Sequence, residues 1–358
     1  MKVDDIYLAG IGTYTPRPTP VEEAVRQGWF ESHAAEESGL VSVAVEPALS
    51  APDMAVRAAR QALEQAGHEP GDFAAVLHSG AYYQGPGHWS PPHYVLHRTL
   101  NQPIPAFGIT HGCLAMMTAL HLAATLLKTG SPGRQAVLVT GADNFSTPTF
   151  DRWNDSPLAV FADSGVALVA STLGGFARLK AIGSRSVPEL EAVHRGNDSL
   201  MPPARYPDHP WRVEARRQEW AERPGAGPHD LIDMANRFGE LVKEIADRTL
   251  AEAGVDWDAI ARVAHTGFSE NPLHTLLLEP LGIPAKLSTW DHLKTIGHAT
   301  VGDQVLALAD LWRTGQVGEG DHVLLVGVTE GMEVGCAVVE ISEASPHTAA
   351  AGTERRTP

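Results

Sequence analysis

Two stretches of apolar and polar positions recur in the same order along the chain. Residues 62–80, ALEQAGHEPGDFAAVLHSG, and residues 249–267, TLAEAGVDWDAIARVAHTG, share one pattern: the end of an amphipathic helix, a glycine stop, a short connection, and an apolar strand closing on His and Gly. Gly67 to Gly80 and Gly254 to Gly267 are both 13 steps, so His78 and His265 fall at the same place in the two copies. A second pair follows. Residues 113–141 and 298–327 both read as a helix ending at Thr-Gly, a loop, and a buried strand, AVLVTG in one and HVLLVG in the other. Setting Thr129-Gly130 over Thr314-Gly315 puts Cys113 over His298, since 113 plus 185 is 298. The pattern predicts two similar halves of mixed strands and helices, residues 1–175 and 176–342, with a polar tail over 343–358 that is expected to be mobile.

The helix predicted over 114–127, LAMMTALHLAATLL, is apolar on nearly every side. Such a helix belongs between layers rather than at a surface. Duplicated α/β halves with central buried helices predict a five-layer α-β-α-β-α arrangement. Residues 195–229, rich in Pro, Arg, Trp and His, break the second half before its long helix and read as a surface excursion or a cap.

Composition narrows the function. With 358 residues, 43 % of them hydrophobic, the chain can bury large cores. Only two cysteines are present, Cys113 and Cys336, so neither a disulfide framework nor a cysteine-rich zinc site is expected. The opening MKVDDIYLAGIG lacks the pattern of a signal peptide and reads as a first strand. No apolar run approaches membrane-spanning length, and a cytoplasmic protein without membrane attachment is expected. The net charge of -16, with no basic block, argues against nucleic-acid binding. It leaves room for a local basic patch facing a phosphopantetheine carrier or coenzyme A.

The candidate chemistry gathers at the helix starts. Cys113 follows Gly-Ile-Thr-His-Gly and opens the buried helix. A thiol there feels the positive end of the helix dipole, which favours its thiolate, and nearby N–H groups can face a thioester oxyanion. An inert buried cysteine is the competing reading. His298, at the start of the equivalent helix, can accept the thiol proton and later take one from an incoming nucleophile. Asp303, five residues on, can orient the imidazole, or simply be a helix N-terminal charge. His265 ends an apolar strand beside Gly and is either a site residue or a hydrogen-bonded structural histidine. In VGVTEGMEVG, backbone N–H near Gly331 is expected to complete an oxyanion hole and Glu330 to supply a second acid. Cys336 reads as core and Asp163 as a structural turn residue. The aromatic and histidine-rich stretches 81–97 and 142–156 line a substrate tunnel or a dimer edge, or are loop packing.

Cys113 at its Gly-Cys helix start, FADSGVALV, AHTGF with His265, GHATVGDQ and VGVTEGMEVG occur in the order found in ketoacyl-acyl-carrier-protein synthase III, and the chain resembles that family over about 5–342. The resemblance implies the thiolase fold, a homodimer, no permanently bound cofactor, and an acyl-enzyme formed on Cys113. Two departures bear on the reaction. The condensing enzymes place Asn where this chain has His298, and a Gln-Ala-Asn type sequence where it has Thr266, Gly267 and Phe268. Without the Asn, the pair that steadies an enolate during decarboxylative condensation is incomplete. GHATVGDQ is similar to a subgroup from antibiotic pathways whose working set corresponds to Cys113, His298 and Asp303. The resemblance therefore implies transfer of an acyl group from coenzyme A or an acyl carrier protein to a sugar hydroxyl or a carrier thiol, without decarboxylation. A decarboxylating synthase that primes a polyketide chain, or a non-catalytic starter-unit gatekeeper, are the alternatives.

Overall fold

A computed structural model describes residues 1–130, 133–146, 150–201, 213–227 and 229–344. The predicted tail beyond residue 344 and residues 202–212 of the predicted cap lie outside the described residues. The strands are β1 (Tyr7–Tyr14), β2 (Pro18–Pro20), β3 (Ser42–Ala44), β4 (Phe73–Ser79), β5 (Ala106–Ile109), β6 (Ala136–Asp143), β7 (Ser164–Ser171), β8 (Ala177–Ser186), β9 (Ile260–His265), β10 (His322–Thr329) and β11 (Glu333–Ile341). Nine of them form one sheet in the order β5-β4-β6-β7-β1-β8-β11-β10-β9. The order mirrors itself about its middle. β4 runs parallel to β6, and β6, β7 and β1 follow antiparallel. On the other side β9 runs parallel to β10, and β10, β11 and β8 follow antiparallel. β1 and β8 pair at Tyr7 with Arg178 and Leu8 with Ala177, and the chain before β1 continues along β8 through the Lys2–Ala181 bridge and bonds such as Val3 N–H to Lys180 O.

The two wings of the sheet are also tied together by what lies between them. The helices Ala115–Thr129 and Asp303–Arg313 touch strands of both wings. Their side chains, from Leu114 to Leu127 and from Val305 to Trp312, form one buried cluster with the inward faces of both wings. Two further clusters lie outside. One sits under the helix Ala51–Ala66 on β1, β6 and β7, and the other under the helix Asp230–Ala253 on β8 and β11. Helix, wing, central helices, wing and helix make the five layers that the apolar pattern predicts.

Local sequence sets this packing. The strands β6 and β7 are buried at every position, as expected for strands covered on both faces. The helix Ala51–Ala66 is capped by the Ser50 side chain accepting from Asp53 N–H and ends on Gly67 in the left-handed conformation. It lies directly on β1 because Gly10 and Gly12 carry no side chain: a Cβ there would come within 2.0 Å of Ala62 O and 1.8 Å of Ala58 O. Leu114, Met116 and Leu120 are each at most 2 % exposed, and burial of such side chains stabilises by about 1.5–3 kcal/mol each.

The reading that no apolar run approaches membrane length needs correction. Gly112–Thr129 is long and apolar enough to cross a membrane, with a mean hydropathy of 1.3 over 18 residues. Here 56 % of it is buried, because it fills the central layer.

Candidate active site

Both central helices begin with a single 3-10 turn, Gly112–Leu114 before Ala115–Thr129 and Thr300–Gly302 before Asp303–Arg313. The residue that opens each approach is a glycine in the left-handed region, Gly112 at φ 45° and Gly297 at φ 86°. An L side chain is strained there. A Cβ on Gly112 would also lie 2.1 Å from a Glu330 carboxylate oxygen. These two bends turn the following residues, Cys113 and His298, towards one another across the central layer. Cys113 Sγ lies 3.2 Å from His298 Nε2.

The other imidazole nitrogen is held by the acid. His298 Nδ1 lies 2.6 Å from Asp303 Oδ2. Asp303 is fully buried, and it also accepts Gly267 N–H at 2.6 Å and Ala299 N–H at 2.7 Å. Three donors fix the carboxylate, the carboxylate fixes the ring, and the ring presents Nε2 to the sulfur. The five-residue spacing works because His298 lies before the helix, which starts at Asp303 itself.

Electrostatics revise one expectation. Burial pushes the Cys113 thiol up, and the neighbouring His298 only partly offsets this, while the Glu330 and Asp303 charges push it further up. Cys113 sits in the 3-10 turn rather than in the first turn of the α-helix. The dipole alone therefore does not set its ionisation, contrary to the favoured thiolate anticipated from sequence. Burial works against the His298 imidazolium, but the Asp303 carboxylate and Cys113 outweigh it and hold its pKa well above the ordinary value.

The pair opens onto a cavity of about 510 Å³. Its walls are mostly apolar, including Leu158, Phe161, Phe268, Leu276 and Met332. Part of the predicted cap closes it: Val213, Arg216 and Arg217 line the cavity from the helix Val213–Ala221. Buried Trp220 anchors that helix, and Arg216 Nε pairs with Asp198 at 2.7 Å. Leu231, Met234 and Phe238 reach in from the helix Asp230–Ala253. Sequence reading missed these cavity residues. Those on the helix Asp230–Ala253 sit on an ordinary amphipathic face, where nothing separates a pocket lining from core.

His265 does not join the cysteine pair. Its ring is fully buried, with Nδ1 2.8 Å from Thr266 O and Nε2 2.7 Å from Ser288 Oγ, and it is not a cavity residue. Burial lowers its pKa to about 4. A carbonyl partner requires Nδ1 to carry the proton, so the neutral ring has no N–H left for substrate. The site role anticipated for it therefore has no geometric support. Its repeat mate His78 is buried in the same way, between Thr140 Oγ1 at 2.9 Å and Gln84 Oε1 at 3.1 Å.

The oxyanion expectation also changes. Gly331 N–H donates to His194 Nδ1 at 3.4 Å and does not face the cavity, while Glu330 and Thr329 do. The Glu330 carboxylate accepts from the Thr329 hydroxyl at 2.7 Å and packs against Gly112. Asp163 is structural, accepting from Glu46 N–H, Phe145 N–H and Arg152 Nη2 at 2.7–2.9 Å. Cys336 is buried in β11, where burial raises its thiol pKa. Of residues 81–97 only Ala81 reaches the cavity, and of 142–156 Ser156 does. Tyr82, Phe145, Phe150 and Phe161 form an aromatic cluster that abuts the His298 ring, with the Phe161 centroid 5.3 Å away. Among the described residues no group of three or more His, Cys, Asp or Glu side chains is placed to hold a metal ion.

Residues 107–180 match 3-Oxoacyl-[acyl-carrier-protein (ACP)] synthase III, and residues 250–341 match its C-terminal part. The solved structure of the acyltransferase ChlB3 is 37 % identical, with a TM-score of 0.88, covering 96 % of this chain and 99 % of that one. The chain belongs to the synthase III-like thiolase superfamily. The mycobacterial β-ketoacyl-[acyl-carrier-protein] synthase III of Mycobacterium avium is 24 % identical over 354 residues, 94 % of this chain and 96 % of that protein. The fold is shared with 3-oxoacyl-(acyl carrier protein) synthase III of Pseudomonas aeruginosa, at 19 % identity and a TM-score of 0.74 over 95 % of this chain and 99 % of that one. This synthase III-like chain is thus an enzyme with the thiolase fold.

Proposed function

We propose that this synthase III-like enzyme is an acyltransferase that carries its acyl group as a thioester on Cys113. The observation that carries the reading is the imidazole of His298 between sulfur and carboxylate, 3.2 Å from Cys113 Sγ and 2.6 Å from Asp303 Oδ2. His298 takes the thiol proton, and the sulfur attacks the carbonyl carbon of a coenzyme A or carrier-protein thioester. The carbonyl electrons move onto oxygen, then return as the donor C–S bond breaks. The leaving thiolate takes the proton from His298. A hydroxyl or thiol acceptor enters, His298 removes its proton with Asp303 behind the ring, and the acyl group leaves Cys113 in a second displacement. Transfer without decarboxylation is favoured because the His265 ring is engaged at both nitrogens, by Thr266 O and Ser288 Oγ, which leaves His298 as the one imidazole facing Cys113. Among the described residues no second imidazole stands beside His298 to share an enolate oxygen.

The acceptor we favour is a natural-product sugar or a carrier protein in an antibiotic or polyketide pathway, and the enzyme acts as a cytoplasmic homodimer. The two wings of the sheet correspond, in this proposal, to duplicated halves over 1–175 and 176–342. The test is intact mass after incubation with acyl and malonyl thioesters, beside C113A. An adduct of full acyl mass, absent from the variant and retaining the carboxyl of malonyl donors, is expected. Carbon dioxide release with a condensed product would instead identify a decarboxylating synthase. No adduct from any donor would identify a gatekeeper.

A further inference from the structure

The scheme above loses one of the donors expected for the tetrahedral oxyanion, since Gly331 N–H is bonded to His194. A different group is placed for the task. Thr266 follows His265 at the end of β9, is fully buried, and forms part of the cavity wall with Cys113 and His298. Its Oγ1 accepts Val328 N–H at 3.2 Å and the Gln304 side-chain amide at 3.5 Å. A hydroxyl has one proton to donate and two lone pairs to accept with. Both acceptor positions are therefore filled, and among the described residues the proton has no acceptor. Gln304 Oε1 is itself without a partner, so the proton does not go there.

Neighbours place Thr266 beside the reacting pair. Gly267, next in the chain, is packed so closely that its Cβ would lie 3.1 Å from His298 Cα and 3.0 Å from Asp303 Oδ1. On the other side, Val328 is followed by Thr329, whose hydroxyl would lie 2.2 Å from a Cβ on Gly112, next to Cys113. Thr266 is thus enclosed between the base and the turn that carries the nucleophile. It shares the cavity wall with Cys113 and His298.

We propose that the Thr266 hydroxyl is a catalytic hydrogen-bond donor to the acyl carbonyl oxygen, holding the oxyanion that forms when Cys113 attacks. This rests on the reading of Cys113 as the acyl carrier. The proton stays on Thr266: the hydroxyl donates to the oxyanion while the carbon–sulfur bond to Cys113 forms, and releases it when the donor bond breaks. Such a donor acts in the transition state more than in substrate binding, so its removal lowers kcat rather than raising KM.

The experiment compares two reactions of Cys113 in T266V, T266A and T266S. Acylation by a thioester forms an oxyanion, and alkylation by iodoacetamide does not. T266V and T266A are expected to acylate about 10²-fold more slowly, with alkylation unchanged, while T266S keeps the wild-type acylation rate. Two valine- and alanine-type variants are made so that a folding failure of one, seen by circular dichroism, leaves the other to decide. Wild-type acylation rates in either folded variant would overturn the proposal. So would acylation and alkylation falling together, which would make Thr266 a support for the turn. Wild-type protein that no thioester acylates would instead remove the acyl-carrier reading, and this proposal with it.

Discussion

Replacing Asp303 by Asn keeps the shape of the side chain while removing its charge and half of its accepting capacity. The native carboxylate serves three donors, His298 Nδ1 at 2.6 Å, Gly267 N–H at 2.6 Å and Ala299 N–H at 2.7 Å, with no exposure to solvent. An amide has one carbonyl oxygen and brings two N–H groups of its own. At least one native donor loses its partner, and the new NH₂ faces another donor. A buried group left unsatisfied costs about 1–3 kcal/mol, so D303N is expected to lose roughly 2–4 kcal/mol of stability. The loss depends on pH. The raised pKa of His298 contributes stability that is fully present below the unfolded imidazole value and is lost as pH rises through the folded one. The melting difference between D303N and wild type should therefore be larger at about pH 6 than at about pH 9. Without the carboxylate the ring has no fixed orientation, and acylation of Cys113 should slow by about 10²–10⁴-fold, the range of general acid–base effects. Thermal melts at the two pH values and a mass time course of acyl-enzyme formation measure both. A D303N protein with native melting and wild-type acylation would refute the argument that the carboxylate orders the base.

Other perturbations separate position from chemistry. G267A puts a methyl 3.0 Å from Asp303 Oδ1 and Gly297 O, and should destabilise by about 1–3 kcal/mol and slow acylation together, by melt and mass assay. E330Q removes a charge that pushes the Cys113 thiol up, so the pH midpoint of iodoacetamide alkylation should fall, and an unchanged midpoint would place the carboxylate too far away to matter. H265Q should leave acylation by folded protein intact. Wild type loses stability as pH falls from the ordinary imidazole value towards about 4, because the unfolded chain takes a proton that buried His265 refuses. Acid melts of H265Q should lack that part of the loss.

The repeat was legible because period and punctuation survive in sequence: Gly67 and Gly254 stop helices, both in the left-handed conformation, and the pairing of Cys113 with His298 followed from counting. Asp303 was legible for the same reason, once His298 is placed before the helix. His265 misled because a strand-end histidine looks alike whether its ring turns to a pocket or, as here, to Ser288. Side-chain direction at the end of a strand is decided by packing partners 23 residues away, which no local pattern records. The ionisation of Cys113 misled similarly. Position in the helix is written in the sequence, whereas desolvation is a property of everything packed around the sulfur. Gly331 offered the right backbone type, but its N–H was claimed by His194, a residue 137 positions distant.

The central layer, packed against strands of both wings, makes the enzyme a built-in reporter of its own assembly. The sulfur rides on one central helix and the imidazole on the other, and each helix is wedged between both wings. Loosening of the wings is therefore expected to widen the 3.2 Å gap before secondary structure is lost. Turnover should therefore fail ahead of circular dichroism on heating or in denaturant. On the proposed reading, the duplicated architecture yields one reaction centre per chain rather than two, because Cys113 and His298, at twin positions, complement each other.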